Sequence, residues 1–544
     1  MSETNQGASA SITTGVEADA PLASERPSPD TTDGWGRWKI PLYLLVVGAL
    51  VAGFVLRFWT RSPLWLDESL SVNIARLPIS KIPEALRHDG HPPLYYVLLH
   101  GWMNVFGEGD RAVRALSGFW SIAAFPLLWI AARRLGGPRT ALYAVVLLAV
   151  SPYAVRYGTE TRMYSMVMVL SLACWLLVTD AVRRPAPARL AAIATIVGLL
   201  LWTHYWSMWL LASATVALGV RAWRAHRNQD TARLRASLAV LGAFFVGGLL
   251  FLPWVPNLLY QGAHTGTPWA RPIRPTEMVT STLADLGGGP QPEAILLGWF
   301  IGAMAFLGLT GAALGRYRIE LDLRTRPRAR PLALLVVGTL AIACAVGYAT
   351  GATYATRYAA VFVAFVLLLA ALGLDQLRSR PVAVAAVLAL VVFGGVGSVR
   401  NIVADRSDGR RSADVIHQRG KPGDLIVYCP DQLGPSTDRA LGDGFDQVTY
   451  PAFKRPQFVD WVDYKARLAK ANPEQFARDV LARAGNRRIF YVFNTGYNTH
   501  RQSCSAIYNT LGQARPPEVI TEPSGAYEPA GVALFPPVVA PAPA

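Results

Sequence analysis

Charge is what this 544-residue chain has least of. Asp, Glu, Lys and Arg together make up 16% of it, while hydrophobic residues make up 52%. A soluble protein carries roughly a quarter charged residues, and one of this length normally splits into several domains. An ordinary soluble enzyme is therefore excluded. Other features are missing too. Residues 1–34 are polar and rich in Pro, Ser and Thr, with no apolar core, so no cleavable leader is expected there. No glycine-rich phosphate loop is seen in residues 405–536, and the chain lacks the tight His/Cys spacing of a zinc site. Internal repeats, which a transporter would want, are not evident. The net charge of +16 would suit a nucleic acid. Its excess is mostly Arg in short segments between apolar runs, which is a membrane-topology pattern and argues against that partner.

What the chain does have is apolar runs. Eleven of them, at 40–59, 112–132, 139–155, 163–182, 189–204, 206–222, 236–256, 293–315, 331–350, 358–376 and 381–399, have about the length needed to cross a bilayer as helices. The fold class is thus a polytopic α-helical membrane protein with about eleven transmembrane helices. Every second connection is Arg-rich: Arg133, Arg134 and Arg139; Arg183, Arg184 and Arg189; Arg221 to Arg235; Arg316 to Arg330; Arg378 and Arg380. Such loops belong on the cytoplasmic side. That parity puts the N-terminus inside and everything after residue 400 outside, with the plasma membrane between. Leu94 to Phe106 is apolar but short for a crossing. It reads as an amphipathic helix in the outer interface, with Tyr95, Tyr96 and Trp102 at headgroup level. The first external loop, 60–111, is therefore structured. The runs at 189–204 and 206–222 are short, and a re-entrant hairpin is their alternative.

Past Arg400 the character changes. Residues 1–37 read as a disordered cytoplasmic tail, 38–400 as the membrane domain, 405–536 as an extracytoplasmic α/β domain and 537–544 as a disordered Pro/Ala tail. Strands are expected at 424–428 and 488–493, and helices at 411–419, 458–471, 473–484 and 503–513. Alternation of this kind suggests a mostly parallel sheet. Of the four cysteines, Cys174 and Cys344 fall in spans as ordinary small residues. Cys429 and Cys504 lie in the external domain. An oxidising compartment permits a disulfide between them, although spacing alone does not bring two sulfurs together.

Chemistry-bearing residues cluster at the ends of the runs. Trp65-Leu66-Asp67-Glu68-Ser69 follows the first run, and ionisable groups beside a bilayer are costly to place. His91-Pro92-Pro93-Leu94, the stretch 157–164 with Glu160, Arg162 and Tyr164, then His204, and Arg357-Tyr358 fall on the same outer side. Carboxylate, imidazole and guanidinium converging on one membrane face suit an anionic lipid. Plainer readings exist for each: a surface acid pair or helix cap for Asp67 and Glu68, snorkelling for Arg162 and Arg357, an interfacial hydrogen-bonding role for His204, and loop architecture for Glu68, Glu160 and His91. Asp67 and Glu68 offer two oxygens to a divalent cation, where Ca²⁺ usually takes six or more. No metal or other cofactor is required.

In order and sidedness these motifs resemble those of the GT-C glycosyltransferases, in particular the family-39-like group of protein O-mannosyltransferases and aminoarabinose transferases. The matching elements are Asp67-Glu68, His91-Pro92-Pro93-Leu94, Glu160-x-Arg162-x-Tyr164, Thr203-His204-Tyr205 and Arg357-Tyr358, over roughly residues 40–375. The resemblance implies an inverting transferase that moves sugar from a polyprenyl-phosphate donor to a hydroxyl of an envelope glycan, a lipid-linked saccharide or a protein. It puts Asp67 in the place of the base. Arg357, then Arg162, would stabilise the departing phosphate. A transporter or lipid flippase, and a membrane-anchored binding protein acting through its external domain, are the competing classes.

Overall fold

The computed structural model describes residues 36–266, 273–351, 354–497, 499–500 and 502–537. The two tails expected from the sequence fall almost wholly outside them. The chain divides at Val47 into two units. The described part of the first is the opening half of helix α1 (Gly36–Leu56).

From Gly48 on, the chain forms one body. After α1 come α2 (Leu66–Ala75), α3 (Ile82–Asp89), α4 (Leu94–Phe106), α5 (Asp110–Gly136), α6 (Pro138–Val150), α7 (Pro152–Gly158) and α8 (Tyr164–Ala181). Then follow α9 (Pro187–Thr203), α10 (Ser207–Arg227), α11 (Thr231–Leu249), α12 (Val255–His264), α13 (Pro275–Gly287) and α14 (Pro292–Thr310). A short antiparallel hairpin, β1 (Gly311–Ala313) and β2 (Ile319–Leu321), leads to α15 (Arg330–Thr350), α16 (Val363–Leu374) and α17 (Arg380–Val403). Each of the eleven apolar runs lies on a helix, but they are not equal. Six helices among the described residues are long and apolar enough to cross a membrane, or seven if the bent pair α6–α7 is one span. The protein is a multi-pass membrane protein, with fewer clear spans than composition alone suggested.

Local chemistry explains the breaks. Ser151 caps α7 by accepting from the Ala154 amide, and Pro152 occupies its first turn, so α6 and α7 meet at 57°. Gly90 ends α3 with φ +86°, a conformation glycine adopts without strain. His204 is extended and separates α9 from α10. Helix α16 is only 12 residues long and buried on every face. It crosses α14 where Gly308 and Gly373 face each other, and a Cβ on either would overlap the other helix's backbone.

Tyr95 and Tyr96 on α4 are fully buried in protein, not at headgroup level. Tyr95 Oη hydrogen-bonds Ser117 at 2.9 Å, and Tyr96 Oη donates to Asp89 at 2.9 Å.

The C-terminal domain holds β3 (Leu425–Cys429), β4 (Asp446–Thr449), β5 (Ile489–Phe493), β6 (Glu518–Thr521) and β7 (Gly531–Phe535) in the order β4-β3-β5-β7-β6. The β3–β4 and β3–β5 pairings are parallel, while β5–β7 and β6–β7 are antiparallel. The sheet is thus evenly mixed, not mostly parallel. Helices α18 (Gly409–Arg419) and α19 (Gly434–Leu441) cover one face, with Ile416, Leu441 and Ile426 in one buried cluster. Helices α21 (Pro473–Ala484) and α22 (Ser503–Ala514) cover the other, with Val480, Ile507 and Val427 in one buried cluster; α20 (Tyr464–Lys470) precedes them. Burial on both faces is why β3 and β5 read as unbroken apolar runs. Residues 458–463, expected to be helical, are irregular. Cys429 at the end of β3 and Cys504 in the first turn of α22 form a disulfide.

This domain sits directly on α2. Trp65, Leu66 and Leu70 pack with Val459, Trp461 and Tyr464 in one buried cluster. The Trp461 amide donates to His88 O at 3.0 Å, and Asn73 Nδ2 to Gln457 O at 2.8 Å.

Candidate active site

Consecutive residues on a helix point about 100° apart, so the acid pair in the first turn of α2 is divided. Asp67 lies at the rim, with its side chain 17% exposed, and its Oδ2 is 3.2 Å from Arg357 Nη1. Glu68 is completely buried. Arg114 grips it through Nε at 2.7 Å and Nη2 at 2.5 Å, and the Thr161 amide donates to it at 2.9 Å. Arg406 stands 3.9 Å away. Burial works against the Glu68 charge, but Arg114 and Arg406 outweigh it and hold the carboxyl below its ordinary value. Both of its oxygens are thus engaged by donors.

Arg357 projects from a short 3₁₀ turn, Thr356–Val361. Tyr153 Oη donates to the Arg357 carbonyl at 3.0 Å and fixes that turn. The guanidinium lies 5.8 Å from the Trp65 ring and 5.9 Å from that of Tyr358, close enough for cation–π attraction. Tyr358 in turn stacks on Trp206 at 5.1 Å. Beside that stack opens a cavity lined by Trp206, Trp209, Met278, Cys344, Tyr348 and Tyr354.

A second cation is held by a relay. Arg162 Nη2 lies 2.8 Å from His91 Nε2, and His91 Nδ1 lies 2.9 Å from Asp89 Oδ2. A guanidinium only donates, so Nε2 accepts and Nδ1 carries the proton given to Asp89. Burial opposes the Asp89 charge, yet His91, Arg162 and Tyr96 outweigh it and hold the carboxyl down at about 2. Arg162 Nη1 also reaches Ser71 at 3.1 Å and Tyr96 at 3.2 Å.

Around these two cations several buried polar atoms have no hydrogen-bond partner among the described residues: Arg162 Nε, Tyr164 Oη, His204 Nε2 and both Glu160 oxygens. His204 Nδ1 accepts from the Trp206 amide at 3.1 Å, so Nε2 carries the hydrogen. The His204 ring lies 5.9 Å from Tyr164, 6.4 Å from His91 and 5.3 Å from Tyr358. Burial pushes the Glu160 carboxyl up; Arg406 and Arg156 work against this, and Glu68 and Asp67 add to it. All the residues singled out in the sequence, apart from the two cysteines, therefore gather in one neighbourhood. Cys429 and Cys504 are the disulfide within the C-terminal domain.

Sequence reasoning passed over five participants. Arg114 and Arg406 neutralise Glu68, and Asp89 orients His91. Asp285 accepts from Tyr157 Oη at 3.1 Å and pairs with Arg156 at 3.8 Å. Glu528, from the C-terminal domain, accepts the Leu66 amide at 2.6 Å. The signal for Asp89 was available: an acid two residues before His91-Pro92-Pro93 is well placed to orient the imidazole.

Residues 90–255 match the family model described as dolichyl-phosphate-mannose-protein mannosyltransferase. No curated protein matches the chain. Among solved structures, ArnT from Cupriavidus metallidurans in the apo state aligns with a TM-score of 0.57 at 15% identity, covering 91% of this chain and 98% of that one. The same protein bound to undecaprenyl phosphate aligns with a TM-score of 0.53 at 15% identity, covering 90% and 97%. At such identity the likeness is one of fold: the chain shares the fold of ArnT.

Proposed function

We propose that the chain transfers a sugar from a polyprenyl-phosphate donor to an acceptor hydroxyl at the outer face of the plasma membrane, with inversion at the anomeric carbon. The observation that carries this reading is the Asp67–Arg357 contact at 3.2 Å, a carboxylate and a guanidinium at the rim of one site. Three features support it. ArnT, which shares the fold, has been solved with undecaprenyl phosphate. The family model that residues 90–255 match is described as dolichyl-phosphate-mannose-protein mannosyltransferase. The cavity between Trp206, Met278 and Tyr348 is lined mainly by apolar groups and adjoins the turn that carries Arg357, which suits the first isoprene units of a lipid.

In this reaction the acceptor oxygen bonds to the anomeric carbon as the carbon–oxygen bond to phosphate breaks. The hydroxyl proton passes to Asp67, and the electron pair of the broken bond leaves with the polyprenyl phosphate. That leaving group is a stable anion and needs charge stabilisation more than protonation. Arg357 and Arg162 supply it with preorganised donors. Arg357 has a second part. While it pairs with Asp67 it blunts the base; an arriving phosphate competes for the guanidinium and frees the carboxylate. Glu68, with both oxygens engaged, holds the start of α2 to α5. Tyr164 and His204 offer donors to the sugar or phosphate. The reaction as written uses no metal.

The test compares envelope glycans, lipids and glycoproteins by mass spectrometry in a strain lacking the gene, the parent, and the deletion strain carrying Asp67→Asn. The reading requires a sugar that disappears on deletion and stays absent with the Asn variant. Unchanged envelopes would sink it, and full restoration by Asp67→Asn would refute Asp67 as the base.

A further inference from the structure

We infer that Glu528 is a positioning residue for Asp67, so that the C-terminal domain completes the catalytic site rather than merely accompanying it; this rests on the transferase reading above.

Helix α2 cannot cap itself. The residue before it is Trp65, which has no side-chain oxygen, and no side-chain cap of its own is formed there. A helix start with unsatisfied amides is unstable when buried. The missing acceptor comes from the far end of the chain: Glu528 Oε2 takes the Leu66 amide at 2.6 Å, one residue before Asp67. Oε1 meets Ser436 Oγ on α19.

Glu528 is itself held on both sides. Its amide donates to Arg406 O at 2.8 Å, and its carbonyl accepts from the Asp408 amide at 3.0 Å. Asp408 in turn accepts the Ala530 amide at 2.9 Å. Arg406, on the same bridge, reaches Thr159 at 2.7 and 2.9 Å and lies 3.9 Å from Glu68. The neighbouring Tyr527 sets its ring edge-on to Trp65 at 5.1 Å. One short pairing of 406–408 with 528 therefore touches the residues on both sides of Asp67.

Burial pushes Glu528 up to about 8; Ser436 and the Leu66 amide oppose this, and Asp67 adds to it. A protonated carboxyl donates to Ser436 and accepts from Leu66 with the same atoms. A glutamine amide does both as well, whereas alanine does neither. A base displaced by about 1 Å loses on the order of 100-fold in rate.

The experiment uses the full-length protein. Transfer is read in the complemented deletion strain. Affinity for undecaprenyl phosphate as probe and amide hydrogen exchange at 66–70 are read on the purified protein. Glu528→Ala is expected to lower transfer on the order of 100-fold, with affinity for the probe little changed and exchange at 66–69 faster. Glu528→Gln is expected to stay near the parent in all three. Should Glu528→Ala fail to fold, Ser436→Ala, which removes only the far partner, is expected to show a smaller loss of transfer with the same exchange signature. Parental transfer and exchange in Glu528→Ala, or a folded Glu528→Gln as impaired as the alanine variant, would overturn the inference. A parent without any transfer defeats the transferase reading instead, and the exchange arm then judges the cap by itself.

Discussion

Asp67 and Arg357 come from opposite ends of the membrane domain, and their side chains meet at 3.2 Å. The guanidinium is additionally flanked by the rings of Trp65 and Tyr358. The contact joins the start of α2 to the turn that opens α16, and it ties the base to the cation expected to receive the leaving group.

Asp67→Asn keeps the shape and removes the proton acceptor. Transfer is expected to fall roughly 10²–10⁴-fold, while expression and affinity for undecaprenyl phosphate persist. The measurement is envelope mass spectrometry beside a binding isotherm on the purified variant. Retained turnover would move the base elsewhere.

Arg357→Lys keeps the charge but loses the planar fork. Turnover is expected to drop on the order of 100-fold, in line with loss of one preorganised donor. The probe should bind more weakly as well. Parental turnover would leave Arg162 as the phosphate's main partner.

Glu68 and Arg114 make a different kind of pair. Both are buried and face each other through two hydrogen bonds. Removing one partner strands the other charge, a change that costs about 3–5 kcal/mol. Glu68→Ala and Arg114→Ala are therefore expected to lower the thermal midpoint and yield sharply, in contrast to Asp67→Asn. A thermal ramp of the three variants in detergent separates the two roles.

The pH dependence of stability has a definite sign. Glu528 rises from 4.5 to about 8 and Asp431 from 3.8 to about 7, each mainly through burial. Between the ordinary and the raised value the folded chain holds a proton that the unfolded chain has lost. The stabilisation is complete below the ordinary value and disappears as pH rises through the raised one. His500, held down at about 4 from 6.5 by burial, acts oppositely, and only below 6.5. The thermal midpoint is thus expected to decline from about pH 6.5 to 8.5, and Asp431→Asn should flatten the lower part of that slope. A midpoint that climbed over this range would contradict both assignments.

The disulfide closes a loop over a sequence separation of 75 residues. On chain-entropy grounds it is worth roughly 4 kcal/mol. Replacing Cys429 and Cys504 by Ser is expected to destabilise the C-terminal domain by about that much. Denaturation followed by near-ultraviolet circular dichroism would show it.

The sequence exposed most of the site because the site breaks local rules. Asp67, His91, Glu160, Arg162 and Arg357 are polar groups stranded at the ends of apolar runs, and composition alone makes them conspicuous. Helices were readable for the same reason. Hidden were the partners whose role exists only in three dimensions. Arg114 looks like an ordinary basic residue at the start of a span until Glu68 is seen buried beside it. Glu528 sits in a plain connecting segment before β7. Tyr95 and Tyr96 misled because an aromatic belt facing lipid and a tyrosine pair facing protein have the same composition. The direction of β7 was not encoded in Gly531–Phe535 either, since a buried strand is apolar whichever way it runs.

The crossing of α14 and α16 at Gly308 and Gly373 has a mechanical consequence. Helix α16 follows directly on the turn that carries Arg357, and Gly373 lies near its other end. A methyl added there has nowhere to go but into the opposing backbone. The short helix would tilt like a lever, and its far tip would carry the guanidinium off the carboxylate. Damage to catalysis can thus originate at the opposite end of α16, from a residue that never meets a substrate.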